Sequence, residues 1–188
     1  LQKLSDAFKA KGREFDKVLK MGRTHLQDAV PMSLGQEFHG WGTTIGEEVQ
    51  RIGEVRQFLH EINLGATAIG TTVTAAPGYP ELATKHLSEL TGMKFILAGD
   101  LIEATSDTGA YVLLSGVLKR TSAKLTKICN DIRLLASGPR CGFNEINLPQ
   151  MQPGSSIMPG KVNPVIPEVV NQVGFLVIGL DLTVTLAA

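Results

Sequence analysis

The stretch Ser33–Ile62, SLGQEFHGWGTTIGEEVQRIGEVRQFLHEI, decides the fold class. Its apolar residues Leu34, Phe38, Trp41, Ile45, Val49, Ile52, Val55, Leu59 and Ile62 follow one another at steps of three or four. Eight steps cover 28 residues, a mean of 3.5, which is the period of a helix that lays a narrow seam against a partner helix. Ser33, with Gln36 three positions on, reads as the capping box that starts this helix.

Working outward, residues 1–20 place Leu4, Ala7, Phe8, Phe15, Val18 and Leu19 near one helical face. Met21–Pro31, MGRTHLQDAVP, breaks that pattern with Gly22 and Pro31 and reads as a loop of charged and hydrogen-bonding side chains. On the other side, Asn63–Pro80 is rich in Gly, Ala and Thr, small residues that let backbone approach a ligand or another subunit. Glu81–Thr91 is a short helix ended by Gly92, and a further long helix is expected from about Asp100 to Ala136, stopped by Gly138-Pro139. Arg140–Asn163 keeps no period of either kind and holds Pro149, Pro153 and Pro159. The last helix starts between Pro164 and Pro167, where proline suits a first turn. No period-two pattern competes and no internal repeat occurs, so the expected architecture is all-α, a long-helix bundle in one domain over residues 1–188.

Bulk composition narrows the class. Of 188 residues, 43% are hydrophobic, 19% charged and 5% aromatic, an ordinary aliphatic interior. Eighteen basic residues balance eighteen acidic ones, so no net field points to nucleic acid or an anionic membrane surface. Cys129 and Cys141 form neither a disulfide framework nor a zinc spacing, which fits a reducing cytoplasm. The N-terminus has no signal pattern. Val169–Ala188 is apolar enough to raise the question of a membrane span, but Glu168, Asn171, Gln172 and Asp181 interrupt that region; a helix buried in a bundle or subunit interface is expected instead. The chain opens without methionine and stops inside a helical pattern at Thr-Val-Thr-Leu-Ala-Ala, which reads as part of a longer polypeptide.

The chemistry concentrates in Gly154–Pro164, GSSIMPGKVNP, which places hydroxyls, a lysine and a carboxamide among glycines between two apolar helices. A Walker phosphate loop is excluded, because five residues separate Gly154 from Gly160 and Val162 follows Lys161. A carboxylate site fits better: Lys161 supplies a positive charge, Asn163 an amide donor, and the loop backbone its N–H groups. Ser155 and Ser156 are poor bases when free, so catalysis by either demands a loop that closes and stabilises the alkoxide. Thr24, His25 and Gln27 form a compact second set of donors, and Glu168 is placed to orient a histidine ring. Glu103 and Asp107 are read as solvated or paired.

Two of these stretches carry a family resemblance. GSSIMPGKVNP at 154–164 resembles the signature loop of the fumarase/aspartase superfamily, and GRTHLQDAVPMSLGQEF at 22–38 is similar to its second block. NLGATAIGT (63–71), DLIEATSD (100–107), KICNDIRLLASGPR (127–140), NEINLP (144–149) and VIPEVVNQV (165–173) favour the aspartase branch over the fumarases. The resemblance covers essentially the whole chain and implies the central helical domain of that fold, with cofactor-independent, metal-free anti elimination of ammonia from L-aspartate to give fumarate. It implies Ser155 as the base at C3, Lys161 and Asn163 as carboxylate ligands, Thr24 and His25 as substrate contacts, and Ser156 as a helper from the lid. Glu168 matches the acidic partner of a histidine in the fumarases. The resemblance further implies a homotetramer whose active sites combine three subunits. Family members are longer, and their upstream Ser/Thr-rich blocks have no counterpart here, so this segment alone is expected to be inactive. A fumarate hydratase and a non-catalytic oligomerisation core are the alternatives.

Overall fold

The computed structural model describes residues 1–188. In chain order the elements are α1 (Gln2–Glu14), β1 (Leu19–Thr24), β2 (Gln27–Ser33), α2 (Leu34–Arg56), β3 (Glu61–Ile62), α3 (Tyr79–Thr91), β4 (Ile96–Leu97), α4 (Glu103–Ser106), α5 (Gly109–Leu135) and α6 (Val165–Ala187). Long helices dominate, as the 3.5-residue seam requires. Two compact units partition the chain, one formed by Leu1–Gln50 and Lys119–Leu180, the other by Arg51–Leu118 and Asp181–Ala188.

In the first unit the core gathers Trp41 and Ile45 of α2 with Ile128 and Leu135 of α5, flanked by Phe8, Phe38, Leu125, Ile132 and Ile146. Phe8, Phe15, Phe38 and Trp41 meet edge-on or tilted, with centroids 4.7 to 6.2 Å apart, in the arrangements that aromatic quadrupoles favour. The capping box forms as expected: Ser33 Oγ accepts from Gln36 N at 3.1 Å while Gln36 Oε1 accepts from Ser33 N at 2.9 Å. Helix α1 lies unusually close to α2. A Cβ on Gly35 would sit 2.3 Å from Gly12 O and 2.7 Å from the Asp16 backbone, so only glycine permits this crossing. Seven residues on, buried Ser5 donates to Gly42 O at 2.6 Å across the same contact.

Glu48 of α2 is fully buried in this unit. Arg120 and Lys124 of α5 lie 3.1 and 2.6 Å from its Oε1, and Thr121 donates to Oε2 at 3.1 Å. Two cations one helical turn apart thus meet one carboxylate, which makes the desolvated charge tolerable. On α6, buried Asn171 donates to Asn130 Oδ1 at 2.7 Å.

In the second unit β3 pairs in parallel with β4, and Ala98 N donates to Ile62 O at 3.0 Å. The small-residue segment after Asn63 does allow a close backbone approach, here to its own chain: a Cβ on Gly70 would meet Leu101 O at 2.3 Å. Ser115 donates to buried Asp181 Oδ1 at 2.8 Å.

The structure corrects four expectations. The loop expected at Met21–Pro31 is an antiparallel hairpin, β1–β2, and Leu19 leaves the helical face for β1, where it is 82% exposed. Helix α2 stops at Arg56 rather than Ile62, because Glu61–Ile62 is drawn out into the pairing with β4; Gln57–His60 tightens into a 3₁₀ turn between them. The helix expected from Asp100 is interrupted, because Asp100 Oδ1 accepts from Ile102 N and Glu103 N while Asp107 Oδ2 accepts from Gly109 N, bonds that compete with the helical ladder. Short strands occur where none is patterned, so the helical bundle carries two small two-stranded sheets. Helix α6 is not buried within this chain, which leaves a subunit interface as the place where its expected burial would occur: Val173, Phe175 and Leu176 are each more than half exposed, and 23 apolar-rich residues make it long enough to cross a membrane by length and composition.

Replacing Gly35 with Ala forces α1 off α2 and is expected to destabilise the protein by roughly 1–3 kcal/mol, the usual cost of overpacking. Gly53→Ala, at a site in α2 with nothing within 4 Å of a new Cβ, is expected to be neutral or to stabilise by roughly 0.5–1 kcal/mol. Urea midpoints of the two variants check the contrast, and equal midpoints would contradict the close crossing.

Candidate functional site

Thr24 and His25 occupy the tip of the β1–β2 hairpin. The two residues that turn the chain, His25 and Leu26, have φ of 52° and 62°, the left-handed pair of a type I′ turn, and Thr24 pairs with Gln27 across it. Non-glycine residues rarely hold this conformation, so the turn spends conformational energy to project His25, which is exposed. Thr24 and Gln27 flank it, as the sequence set implied.

Below the tip lies a cluster that the sequence reading did not single out. Glu145, from the irregular segment after α5, accepts from Arg23 through Oε1, and Lys20 Nζ lies 3.2 Å from its Oε2. Lys20 also donates to Glu37 of α2, and the Arg23 guanidinium stacks 4.1 Å from the centroid of the Phe143 ring. Burial alone raises the Glu145 pKa, but hydrogen bonds from Arg23 and Lys20 outweigh it and hold the carboxyl below the usual carboxylate range. The Glu145 hydrogen bond likewise raises the Arg23 pKa. One signal was available in the sequence: Glu145 is the only acidic residue between Asp131 and Glu168.

The segment bearing Glu145 is itself anchored. Glu145 N and Ile146 N donate to Leu135 O at 2.8 and 3.3 Å, and Asn144 N donates to Ser137 O at 2.8 Å, so it folds back and satisfies carbonyls at the end of α5.

The lid, residues 154–164, is an irregular loop leading into α6. Half-buried Ser155 accepts from Met158 N at 3.2 Å through its Oγ, and Lys161 N donates to Met158 O at 3.1 Å, which curls the loop around the serine. An N–H aimed at a hydroxyl oxygen favours its deprotonated form. Ser156, Lys161 and Asn163 are exposed, and Asn163 O accepts from Val165 N at 2.9 Å at the start of α6. A groove of about 500 Å³ separates the lid from the 136–148 segment, lined by Gly138, Asn144, Asn147, Met158, Lys161 and Pro164 among others. Asn144 and Asn147 thereby join Lys161 as polar groups facing one space. Glu168 pairs with Arg133 of α5 at 2.7 Å, so its carboxylate is engaged by a cation rather than by a histidine in this chain.

Within one chain no hydrogen bond or ion pair joins Thr24 or His25 to Ser155, Ser156, Lys161 or Asn163. Of the two thiols, Cys129 is buried, which raises its pKa and keeps it unreactive, and Cys141 is exposed.

Comparison with known proteins places this arrangement. A lyase family model matches residues 1–179. The chain is 65% identical, over its whole length, to an aspartate ammonia-lyase of Pseudomonas aeruginosa and 60% identical to those of Helicobacter pylori and Escherichia coli. It spans about 40% of the length of these curated relatives. Among solved structures, a fumarate lyase:delta crystallin from Brucella melitensis, bound to cobalt, superimposes with a TM-score of 0.94 at 58% identity, covering 98% of this chain and 40% of that one. A class II fumarase from Schistosoma mansoni superimposes with a TM-score of 0.92 at 36% identity, covering 98% and 42%. The signature loop, the hairpin block and the helical scaffold agree with a match that runs through nearly the whole chain, and the chain belongs to the lyase family of the fumarase/aspartase superfamily.

Proposed function

We propose that the full-length protein carrying these residues is an aspartate ammonia-lyase, converting L-aspartate to fumarate and ammonia by anti elimination without a cofactor. The observation that carries the reading is the Ser155 hydroxyl, half-buried in the signature loop with the Met158 N–H aimed at its oxygen. The base in this chemistry must become an alkoxide, and a preset donor lowers the cost of forming one. Ser155 takes the proton from C3, and the electron pair moves into the adjacent carboxylate as an aci-carboxylate. When that pair returns, the C2–N bond breaks and ammonia leaves. Lys161, which no carboxylate of this chain contacts, and Asn163 hold a substrate carboxylate. Thr24 and His25 contact substrate from the hairpin tip, and Ser156 assists from the lid. Glu168 serves as the acidic partner of a histidine; its engagement with Arg133 leaves the second carboxylate oxygen for that purpose.

That no hydrogen bond or ion pair joins the hairpin tip to the lid within one chain supports a site completed by other copies. We infer a homotetramer, supported by the exposed apolar surface of α6 at Val173, Phe175 and Leu176, with residues 1–188 contributing its central helical bundle. A small dicarboxylate is the partner, with neither nucleic acid nor membrane required, and a cytoplasmic location accords with two cysteines that remain unpaired. The preference for aspartate over malate rests on 60–65% identity to relatives named aspartate ammonia-lyases, against 36% to the fumarase.

The full-length protein is expected to form fumarate, followed by its absorbance, from L-aspartate and not from malate; the reverse preference would make it a fumarate hydratase. Ser155→Ala is expected to lower kcat by roughly 10²- to 10⁴-fold, and near-normal turnover would remove Ser155 as the base. His25→Ala is expected to weaken dicarboxylate binding while leaving the unfolding midpoint unchanged; unaltered kinetics would return His25 to an ordinary turn residue. The 188-residue segment alone is expected to release little or no ammonia.

A further inference from the structure

No hydrogen bond or ion pair joins the Lys20–Arg23–Glu145 cluster to the lid, and its Arg23 immediately precedes the residues assigned to substrate. It sits beside an irregularity in the β1–β2 pairing. In a regular strand, residues three apart point to opposite faces. Lys20 and Arg23, long side chains on either side of Gly22, nevertheless reach the two oxygens of one carboxylate; the register slips beside them, with the extra residue on β2, where Ala29 and Val30 lie opposite Gly22. Gly22 sits at that slip, where a Cβ would lie 2.9 Å from Val30 O across the hairpin and 3.1 Å from Met32 Sδ. A side chain there would push β2 away.

We propose that Glu145 is a positioning residue for the hairpin tip: by gripping Lys20 and Arg23 on either side of Gly22, it sets the direction in which Thr24 and His25 are presented to a dicarboxylate substrate. Three fixed points support the grip. The Glu145 backbone is tied to Leu135 at the end of α5, and Lys20 is tied to Glu37 of α2. Phe143 supports the flat face of the Arg23 guanidinium. The side chains of Lys20, Arg23 and Glu145 are only 7%, 20% and 18% exposed, so the pairing is shielded from solvent and its arms have few alternative partners. Arg23 immediately precedes Thr24, so any rotation of its backbone is passed to the turn. The hairpin's left-handed turn residues have no hydrogen bond of their own to the scaffold that would replace this hold. An orientation error of about 1 Å at a binding group is enough to cost on the order of a hundredfold in turnover.

The inference rests on the reading of Thr24 and His25 as substrate contacts, and the experiment separates the two. In the full-length protein, Glu145→Gln keeps the shape of the side chain and removes its charge, and Arg23→Lys keeps the charge and removes the planar fork. Glu145→Gln is expected to lower kcat/KM for L-aspartate by at least about tenfold, mainly through KM, with Arg23→Lys intermediate. On a His25→Ala background the same Glu145→Gln change is expected to cost less than about threefold, because Glu145 acts through the tip. Full additivity of the two losses, or unchanged kinetics in Glu145→Gln, would overturn the proposal. Amide hydrogen exchange provides a readout that needs neither turnover nor substrate: Glu145→Gln is expected to speed exchange at Thr24–Gln27 while α2 and α5 keep their protection. Exchange that is unchanged at the tip, or faster throughout the helices, overturns positioning even in a protein that shows no activity. Absence of lyase activity in the unsubstituted protein, with faster tip exchange in Glu145→Gln, would reject the function and keep the positioning.

Discussion

A single carboxylate organises the functional end of this chain. Glu145 comes from a segment with no helical or strand pattern, and on its own it has no reason to adopt one conformation. It is held because its backbone closes the end of α5 and its two oxygens meet cations from a strand more than a hundred residues earlier. Burying an acid costs free energy through lost hydration, and only the two-sided pairing reverses that cost, which is why its pKa falls despite burial. The hairpin, the C-terminus of α5 and the start of α2 therefore share one electrostatic anchor. Glu48 plays the corresponding part deeper in the helices, where Arg120 and Lys124 fix α5 against α2.

The long helices were legible because burial demands a periodic apolar face, and Leu34, Trp41, Ile45 and Val55 are indeed buried at the spacing read from the sequence. Local chemistry was legible too: Ser33 and Gln36 form the capping box, and Gly92 ends α3 with φ of 68°. The hairpin was not. The bulge at Ala29–Val30 and the proline at Pro31 destroy the alternation by which a strand is recognised, and the turn is made by His25-Leu26 instead of the usual Asn-Gly or Gly-Gly. Helix ends governed by distant partners were misplaced for a related reason. Arg56 ends α2 because of strand pairing with residues more than thirty positions on, which no local pattern reports.

The site shows the same division. Residue types in the signature loop pointed to a carboxylate site but not to a reaction, and the structure adds the donor aimed at Ser155 and the groove shared by Lys161, Asn144 and Asn147. Ion pairs between segments that are remote in sequence remained invisible, since neither Lys20 nor Arg23 carries any mark of the partner it finds. Glu168 illustrates the converse: its position in the motif suggests a histidine partner, while its nearest cation within the chain is Arg133. The lack of any hydrogen bond or ion pair between the hairpin tip and the lid is consistent with a site shared between copies.

The central claim is a base-initiated anti elimination at a carboxylate-bearing carbon, and its stereochemistry in heavy water tests it most directly. The full-length protein, supplied with fumarate and ammonia, is predicted to give L-aspartate with a single deuterium at C3, placed by anti addition. Syn addition, deuterium at both C3 positions in the initial product, or malate in place of aspartate would contradict the account.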